Sequence, residues 1–404
     1  MIAPNSWVEI DRAALVSNVR EFRRVVGPSC RLLGLVKGNA YGHGLQETAR
    51  VLLDAGVDGL GVEAVGEAVA LRMGDITCPL LLMGTVPPDA FPLLLEQQLT
   101  PMLVSLTEVQ GLGEFTSGRA CVLEGHLKFD TGMHRQGIMR HELPALMDVL
   151  GKYSGLRITG VATHFARADE ADAPEWSRRQ LAQFHEILAA LAVGGIHPPI
   201  RHAANSAAAL LWPETHLDMV RLGISLYGFW PAPAVRCASP CQVALCPVLT
   251  WKTRVGAVKA VPSGCSVGYG GSYTTRRDSW VAVLPLGYYD GYSRALSNQA
   301  HVLIHGQRAP VCGRVSMNLM SVDVTGIPDV RPGDEVVLLG RQGEAEVTAE
   351  EMAAWLGTLH YEVTTRINPL IPRVVVGPPV IPASRPSAGA CYSASVAPAE
   401  PRTG

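Results

Sequence analysis

Leu32-Leu33-Gly34-Leu35-Val36-Lys37-Gly38-Asn39-Ala40-Tyr41-Gly42-His43-Gly44 is a short apolar run that ends on a lysine and breaks at once into a glycine-rich turn. An apolar run of this length, bounded by turn residues, reads as a strand buried on both faces of a parallel sheet. Seven similar runs follow: Gly59 to Val62, Leu80 to Gly84, Pro101 to Ser105, Val122 to Phe129, Ile158 to His164, Ile200 to Ala203 and Met219 to Gly223. Helical spacing fills the intervals. Leu15, Val19, Phe22 and Val26 lie behind Asp11 as a cap, and Trp176 to Val193 forms a long amphipathic stretch ending at Gly194 and Gly195. This alternation predicts repeated βα units. A doubly wound open sheet would alternate in the same way, but eight strands is the number that closes a barrel. The expectation is therefore an α/β fold, an eight-stranded (β/α)8 TIM-type barrel over residues 1–235.

After the Pro-rich connector Pro231 to Pro247, β-rich segments are separated by Gly, Pro, Asn and Asp, with one clear helix near Thr348 to Leu356. Residues 236–377 are expected to form a mostly antiparallel β domain. Residues 378–404, dominated by Pro, Ala, Ser and Gly, are expected to be a disordered tail. A chain of 404 residues and 43.1 kDa, 48% hydrophobic and 17% charged, is too long for a single small binding module. Its net charge of −2, from 34 basic and 36 acidic residues, argues against nucleic acid as a partner. The longest apolar stretches, such as Leu80 to Met83 and Leu188 to Val193, fall far short of a bilayer span, so no membrane segment is expected. The nine cysteines are scattered, and Met1 to Glu9 lacks the charged and apolar regions of a secretory signal; both point to the cytoplasm. Cys237, Cys241 and Cys246 lack the spacing of zinc ligands and read as incidental thiols, so no metal site is assigned.

In such a barrel the reactive groups sit at the carboxyl ends of the strands. Lys37 ends the first run, Lys128 lies near the end of the fifth, His164 ends the sixth, Asn205 and Ser206 follow the seventh, and Arg221 to Ile224 close the eighth. The chain has only five lysines against 29 arginines. An arginine cannot lose its proton in a protein, whereas a partly buried lysine can become a nucleophilic amine that forms a Schiff base. A lone strand-end lysine reads more readily as a snorkelling cation. Gly38, Tyr41, Gly42 and Gly44 reverse that preference, because they allow close backbone approach and bring a phenol near the amine. Ser206 and the Gly223-Ile224 turn lie where barrels commonly hold a phosphate. An imine-forming lysine facing a phosphate site suggests pyridoxal 5'-phosphate. Arg221 reads either as an ion-paired strand residue or as a donor to the pyridine nitrogen. In the second role it would keep that nitrogen unprotonated and favour quick reprotonation of a carbanion. His164 reads either as a core histidine or as a ring that packs on the cofactor and bonds to Arg221.

Eight segments carry a family resemblance: Val36 to Gly44, Leu127-Lys128-Phe129-Asp130-Thr131-Gly132-Met133-His134-Arg135, Thr163-His164-Phe165-Ala166, His202-Ala203-Ala204-Asn205-Ser206, Arg221 to Gly228, Gly268-Tyr269-Gly270, Gly287-Tyr288-Tyr289-Asp290-Gly291 and Gly313-Arg314-Val315-Ser316-Met317. In this order they resemble the bacterial alanine racemases, and the likeness runs from about Ser6 to Val376. The resemblance implies a pyridoxal-phosphate enzyme interconverting L-alanine and D-alanine by two-base transfer of the Cα proton. It implies that Lys37 holds the cofactor as an internal aldimine and that Tyr41, Ser206, Gly223, Ile224 and Tyr361 bind its phosphate. Arg221 would meet the pyridine nitrogen, with His164 beside it. Arg135 and the backbone of Met317 would hold the substrate carboxylate, and Lys128, often carbamylated in the family, would orient Arg135. Tyr269 would be the second base, reaching the active site of the other subunit, so a homodimer with shared active sites is expected. Tyr288, Asp169, Arg294 and Arg314 would narrow the entrance for small amino acids.

Inverting a stereocentre removes a proton from one face and delivers one to the other, so two groups are needed. A free tyrosine ionises near pH 10, and base work near neutrality needs neighbours that stabilise phenolate. One departure stands out: Asn318 replaces the Asp usual after Met317, removing a negative charge beside the carboxylate site and raising the alternative of a broader-specificity or serine-preferring racemase. A pyridoxal-phosphate decarboxylase would not need the Gly268-Tyr269-Gly270 phenol, and a cofactor carrier would not need the second domain.

Overall fold

The computed structural model describes residues 4–170 and 174–378. The tail expected over 378–404 lies, apart from Pro378, outside the described residues. Eight strands, Arg31–Leu35, Gly59–Val62, Leu80–Leu82, Leu99–Leu103, Leu123–Asp130, Leu156–Ala162, Ile200–His202 and Met219–Leu222, each overlap one of the expected runs. They pair parallel in sequence order, and the eighth returns to the first with Arg221 opposite Leu33. Two backbone hydrogen bonds of 3.0 Å, Asp218 N to Arg201 O and Arg221 N to Ala204 O, span the seam between the last two strands. The barrel is nearly closed.

Period-two alternation decides which side chains reach the barrel axis. Leu33 and Leu35 join Leu81, Met102, Ala162, Ile200 and Met219 in a small inner core. Their sequence neighbours Leu32, Val36, Leu127, Val161, Val220 and Leu222 pack in the large outer core against the helices. The inner register carries polar groups as well: His126, Lys128, His202 and Arg221 are all buried. The helix Arg12–Val26 starts as expected, with Asp11 Oδ1 accepting from Ala14 N at 3.0 Å. The long helix runs Pro174–Val193.

The second domain holds a seven-stranded sheet and a three-stranded antiparallel sheet. The chain enters the molecule through the seven-stranded one. Ser6–Asp11 pairs antiparallel with Leu249–Arg254 and parallel with Arg373–Val376. The barrel therefore starts after Asp11 and not at residue 1; Trp7, Val8 and Ile10 give no clue to this, because an isolated apolar strand does not name the sheet it joins. Thr348 caps the expected helix Ala349–Leu356, its Oγ1 accepting from Glu351 N at 3.0 Å. A second short helix, His360–Thr365, adds to the single helix expected here. Six residues rich in β-branched side chains carry no readable helical period. That helix packs against the turn after the first barrel strand.

Candidate active site

Lys37 continues the inward register of Leu33 and Leu35 one step past the strand end, so its side chain opens at the top of the barrel. Its Nζ donates to Glu63 Oε2 at 2.8 Å. The turn that follows is left-handed: φ is +62° at Gly38, +54° at Asn39 and Ala40, +53° at Tyr41 and +88° at Gly42. Each non-glycine residue in that region costs roughly 1–2 kcal/mol, so other contacts must hold the turn. They come from within and from the second domain. Ala40 N donates to Val36 O at 2.7 Å, Leu45 N to Asn39 Oδ1 at 2.9 Å, and Arg373 Nη2 to Gly42 O at 2.9 Å. A Cβ at Gly42 would lie 1.9 Å from Thr364 O.

This turn folds Tyr41 back across the barrel mouth. Its ring lies 5.1 Å from that of Tyr227 and 6.4 Å from that of Tyr361. Burial first, then the Glu63 carboxylate, pushes the Tyr41 phenol up to about 12, so it stays a neutral donor. A Cβ at Gly223 would lie 2.4 Å from Tyr41 Oη, which explains why glycine follows the eighth strand. Gly223 N donates to Ser206 Oγ at 3.1 Å, and Asn205 Oδ1 caps the helix Ser206–Leu211 at Ala208 N, 3.0 Å away. Tyr41, Ser206, Gly223, Ile224 and, from the second domain, Tyr361 thus share one corner of a single cavity.

Arg221 is 3% exposed. Its guanidinium donates to Thr163 O at 2.8 Å, Ala203 O at 3.1 Å and His202 O at 3.1 Å. It also donates to His202 Nδ1 at 2.9 Å and His164 Nδ1 at 3.1 Å. Burial pulls its pKa down to about 10, still charged at neutral pH. Burial, and then the charge of Arg221, hold His164 and His202 neutral. Lys128 is 6% exposed, and its Nζ donates to Gln136 Oε1 at 3.2 Å. Burial, followed by Arg221 and Arg135, brings its amine down to about 8.

Lys37, Tyr41, Lys128, Arg135, His164, Ser206, Arg221, Gly223, Ile224 and Tyr361 line this one cavity of about 750 Å³. That is within the usual range for a small-molecule site. Asp169 also lines it. Glu63 and Gln136 line it without having been singled out. Glu63 stands one residue past the second strand, so a search of strand ends would have found it; Gln136 carries no such signal.

Tyr269, Met317, Asn318 and Tyr288 are not among the lining residues. They gather on the second domain, where Gly268, Gly270 and Gly271 take φ of +73°, +68° and +55° around Tyr269. Tyr288 N donates to Ser316 O and Tyr289 N to Met317 O, both at 3.0 Å. A Cβ at Gly287 would lie 2.0 Å from Ser316 O, so the two loops meet only because that residue is glycine. Tyr269 is 72% exposed and Met317 54%. Arg294 lines a separate cleft with Tyr288, and Arg314 packs against Gly270.

The family profile "Alanine racemase, N-terminal domain" matches residues 10–231, and "Alanine racemase, C-terminal domain" matches residues 248–375. The alanine racemase of Symbiobacterium thermophilum is 44% identical over 372 residues, covering 92% of this chain and 97% of that protein. That of Desulfosudis oleivorans is 41% identical over 383 residues, covering 92% and 96%. Among solved structures, the Bacillus anthracis alanine racemase with bound L-Ala-P superposes with a TM-score of 0.88 at 33% identity, covering 93% of this chain and 96% of that one. Alanine racemase from D-cycloserine-producing Streptomyces lavendulae gives 0.86 at 34% identity, covering 94% and 98%. With both domains matched in order and relatives aligned over nine-tenths of its length, the chain belongs to the alanine racemase family.

Proposed function

We propose that this chain interconverts L-alanine and D-alanine with pyridoxal 5'-phosphate as cofactor, moving the Cα proton between Lys37 on one face and Tyr269 on the other. One observation carries the reading: Lys37 opens into the same cavity as the Tyr41, Ser206 and Gly223 corner and the buried Arg221. The corner fits a phosphate, because Tyr41, Ser206 and Tyr361 bring three hydroxyl groups to it and a Cβ at Gly223 would collide with one of them. Lys37 Nζ would hold the cofactor covalently, Ser206, Tyr41, Tyr361 and the backbone of Gly223 and Ile224 its phosphate, and Arg221 its ring nitrogen. When bound there, the cofactor supplies an electron-poor conjugated system that acidifies the Cα–H of an attached amino acid.

Arg221 carries charge and only donates, so it would keep a ring nitrogen facing it unprotonated and so favour return of a proton to Cα. His164 accepts from Arg221 at Nδ1, which leaves its proton on Nε2, where a Tyr269 oxygen entering from a second subunit would meet it. Arg135 and the Met317 backbone N–H would take the substrate carboxylate. Lys128, brought down to about 8, presents part of its amine unprotonated near neutrality, the form that adds carbon dioxide to give a carbamate and a proton. The carbamate would turn a cation behind Arg135 into an anion that orients it. A carbamate carbon signal with ¹³C-bicarbonate in the wild type, absent in Lys128→Ala, is the expected outcome; no difference between them removes this role.

Tyr269 would enter the site from a second subunit. The exposed Tyr269, Tyr288, Met317 and Leu319 give the second domain an apolar face that a homodimer would cover. A cytoplasmic location accords with free thiols at Cys30, Cys121, Cys237, Cys241, Cys246, Cys265 and Cys312. Among the described residues no helix is long and apolar enough to cross a membrane.

Incubating each enantiomer of alanine and serine with protein and cofactor in deuterated water, followed by chiral analysis, tests the function. Both alanine enantiomers should give the racemate with deuterium at Cα. Loss of carbon dioxide, or no exchange, would overturn it.

A further inference from the structure

Beneath Arg221, two histidines continue the hydrogen-bond chain toward the amino end of the barrel. His202 Nδ1 receives Arg221 Nη1 at 2.9 Å, and His202 Nε2 lies 3.0 Å from His126 Nδ1. The His126 and His202 rings meet edge to face with centroids 5.0 Å apart. Both rings are buried. The direction of every proton along this chain follows from one charge. Arg221 can only donate, so His202 Nδ1 carries no proton. A neutral imidazole must carry one, which is then on Nε2 and points at His126. His126 Nδ1 must accept it, leaving the His126 proton on Nε2.

The fold makes room for this contact at two places. Pairing of the fifth and sixth strands shifts register between Gly125 and His126, and His126 then stands opposite Gly160. A Cβ at Gly160 would lie 2.5 Å from His126 Cγ and Nδ1, so only glycine lets the ring lie where it meets His202. His126 also lines a small cavity of about 60 Å³ with Arg31, Asp58, Glu124 and Thr159, large enough for about two waters.

We propose that His126 is a positioning residue for Arg221: by accepting the Nε2 proton of His202 it locks the tautomer in which His202 Nδ1 accepts from the guanidinium. With the acceptor lost, a buried Nε2–H is left unpaired, and the alternative tautomer points a second donor at Arg221. Either outcome loosens the group that faces the reacting ring. The inference rests on the role proposed above for Arg221, and the two fail separately: a wild type that is colourless and does not racemise removes that role, whatever the histidines do.

The experiment uses histidine-selective ¹⁵N labelling of the cofactor-loaded protein, with His202 assigned by the loss of its signals in His202→Gln. His202 should be a single Nε2–H tautomer in the wild type. His126→Leu should change that signature and lower kcat about tenfold in both directions with KM nearly unchanged. His126→Asn, whose Oδ1 replaces the accepting Nδ1, should restore both. Gly160→Ala keeps the imidazole but displaces it, and should reproduce the leucine phenotype; it carries the comparison with His126→Asn if the leucine variant does not fold. An unchanged His202 signature in the leucine or alanine variant, kcat within twofold of wild type, or an asparagine variant no better than leucine would each overturn the proposal.

Discussion

Lys37 and Tyr269 are matched in proposed chemistry and opposed in setting. Lys37 lies two residues past a strand buried from Leu32 to Leu35, with its amine bonded to Glu63 and its following turn packed against Thr364 and bonded to Arg373 of the second domain. Tyr269 sits on a glycine turn and is 72% exposed. One half of the site is completed when the chain folds, whereas the other, in the homodimer proposed above, would be supplied by a second copy. The difference is physical: period-two alternation can aim a lysine into a barrel, whereas the turn that carries Tyr269 in the second domain leaves it outside the lining of its own chain's cavity.

Substitution should expose the asymmetry in decreasing steps. Lys37→Ala should abolish the yellow colour of the loaded protein and lower turnover from both enantiomers by about ten-thousandfold; colour that persists would detach the cofactor from Lys37. Tyr269→Phe should keep the colour and lower Cα–H exchange by about a thousandfold from one enantiomer only. Equal loss from both would end the division of faces between the two groups. Gly42→Ala strikes the folded half. At φ +88°, with its Cβ 1.9 Å from Thr364 O, it should destabilise by about 2–4 kcal/mol, read as a lower Tm, while the same substitution at the open position Gly264 should be milder.

Mixing tests the associating half. Lys37→Ala and Tyr269→Phe, unfolded and refolded together, should recover about a quarter of wild-type activity, because half of a random set of dimers are mixed and each has one intact site. No recovery would mean that Lys37 and Tyr269 act within one chain. The smallest effect is expected at Asn318. Asn318→Asp should lower serine relative to alanine turnover by about two- to fivefold through added charge near the carboxylate site; an unchanged ratio would remove Asn318 from substrate choice.

The barrel was legible because burial on both faces leaves a strong mark: all eight apolar runs overlap observed strands, and Gly59–Val62 coincides fully. The convergence of Lys37, Lys128, His164, Ser206 and Arg221 on one cavity was legible because parallel strands share one carboxyl end. The ownership of Ser6–Asp11 by the second sheet and the helix that carries Tyr361 were not, since one is a pairing across 240 residues and the other is too short to show a period.

By itself the sequence determined the strand count, the lysine that faces inward and the glycines that the turns require, because local sterics and alternation are written residue by residue. Only the tertiary structure decided that Glu63 meets Lys37, that a left-handed turn brings Tyr41 onto Gly223, and that Arg221 stands on two neutral histidines. Those contacts join residues far apart in the chain, and their geometry exists only once the barrel has nearly closed around them.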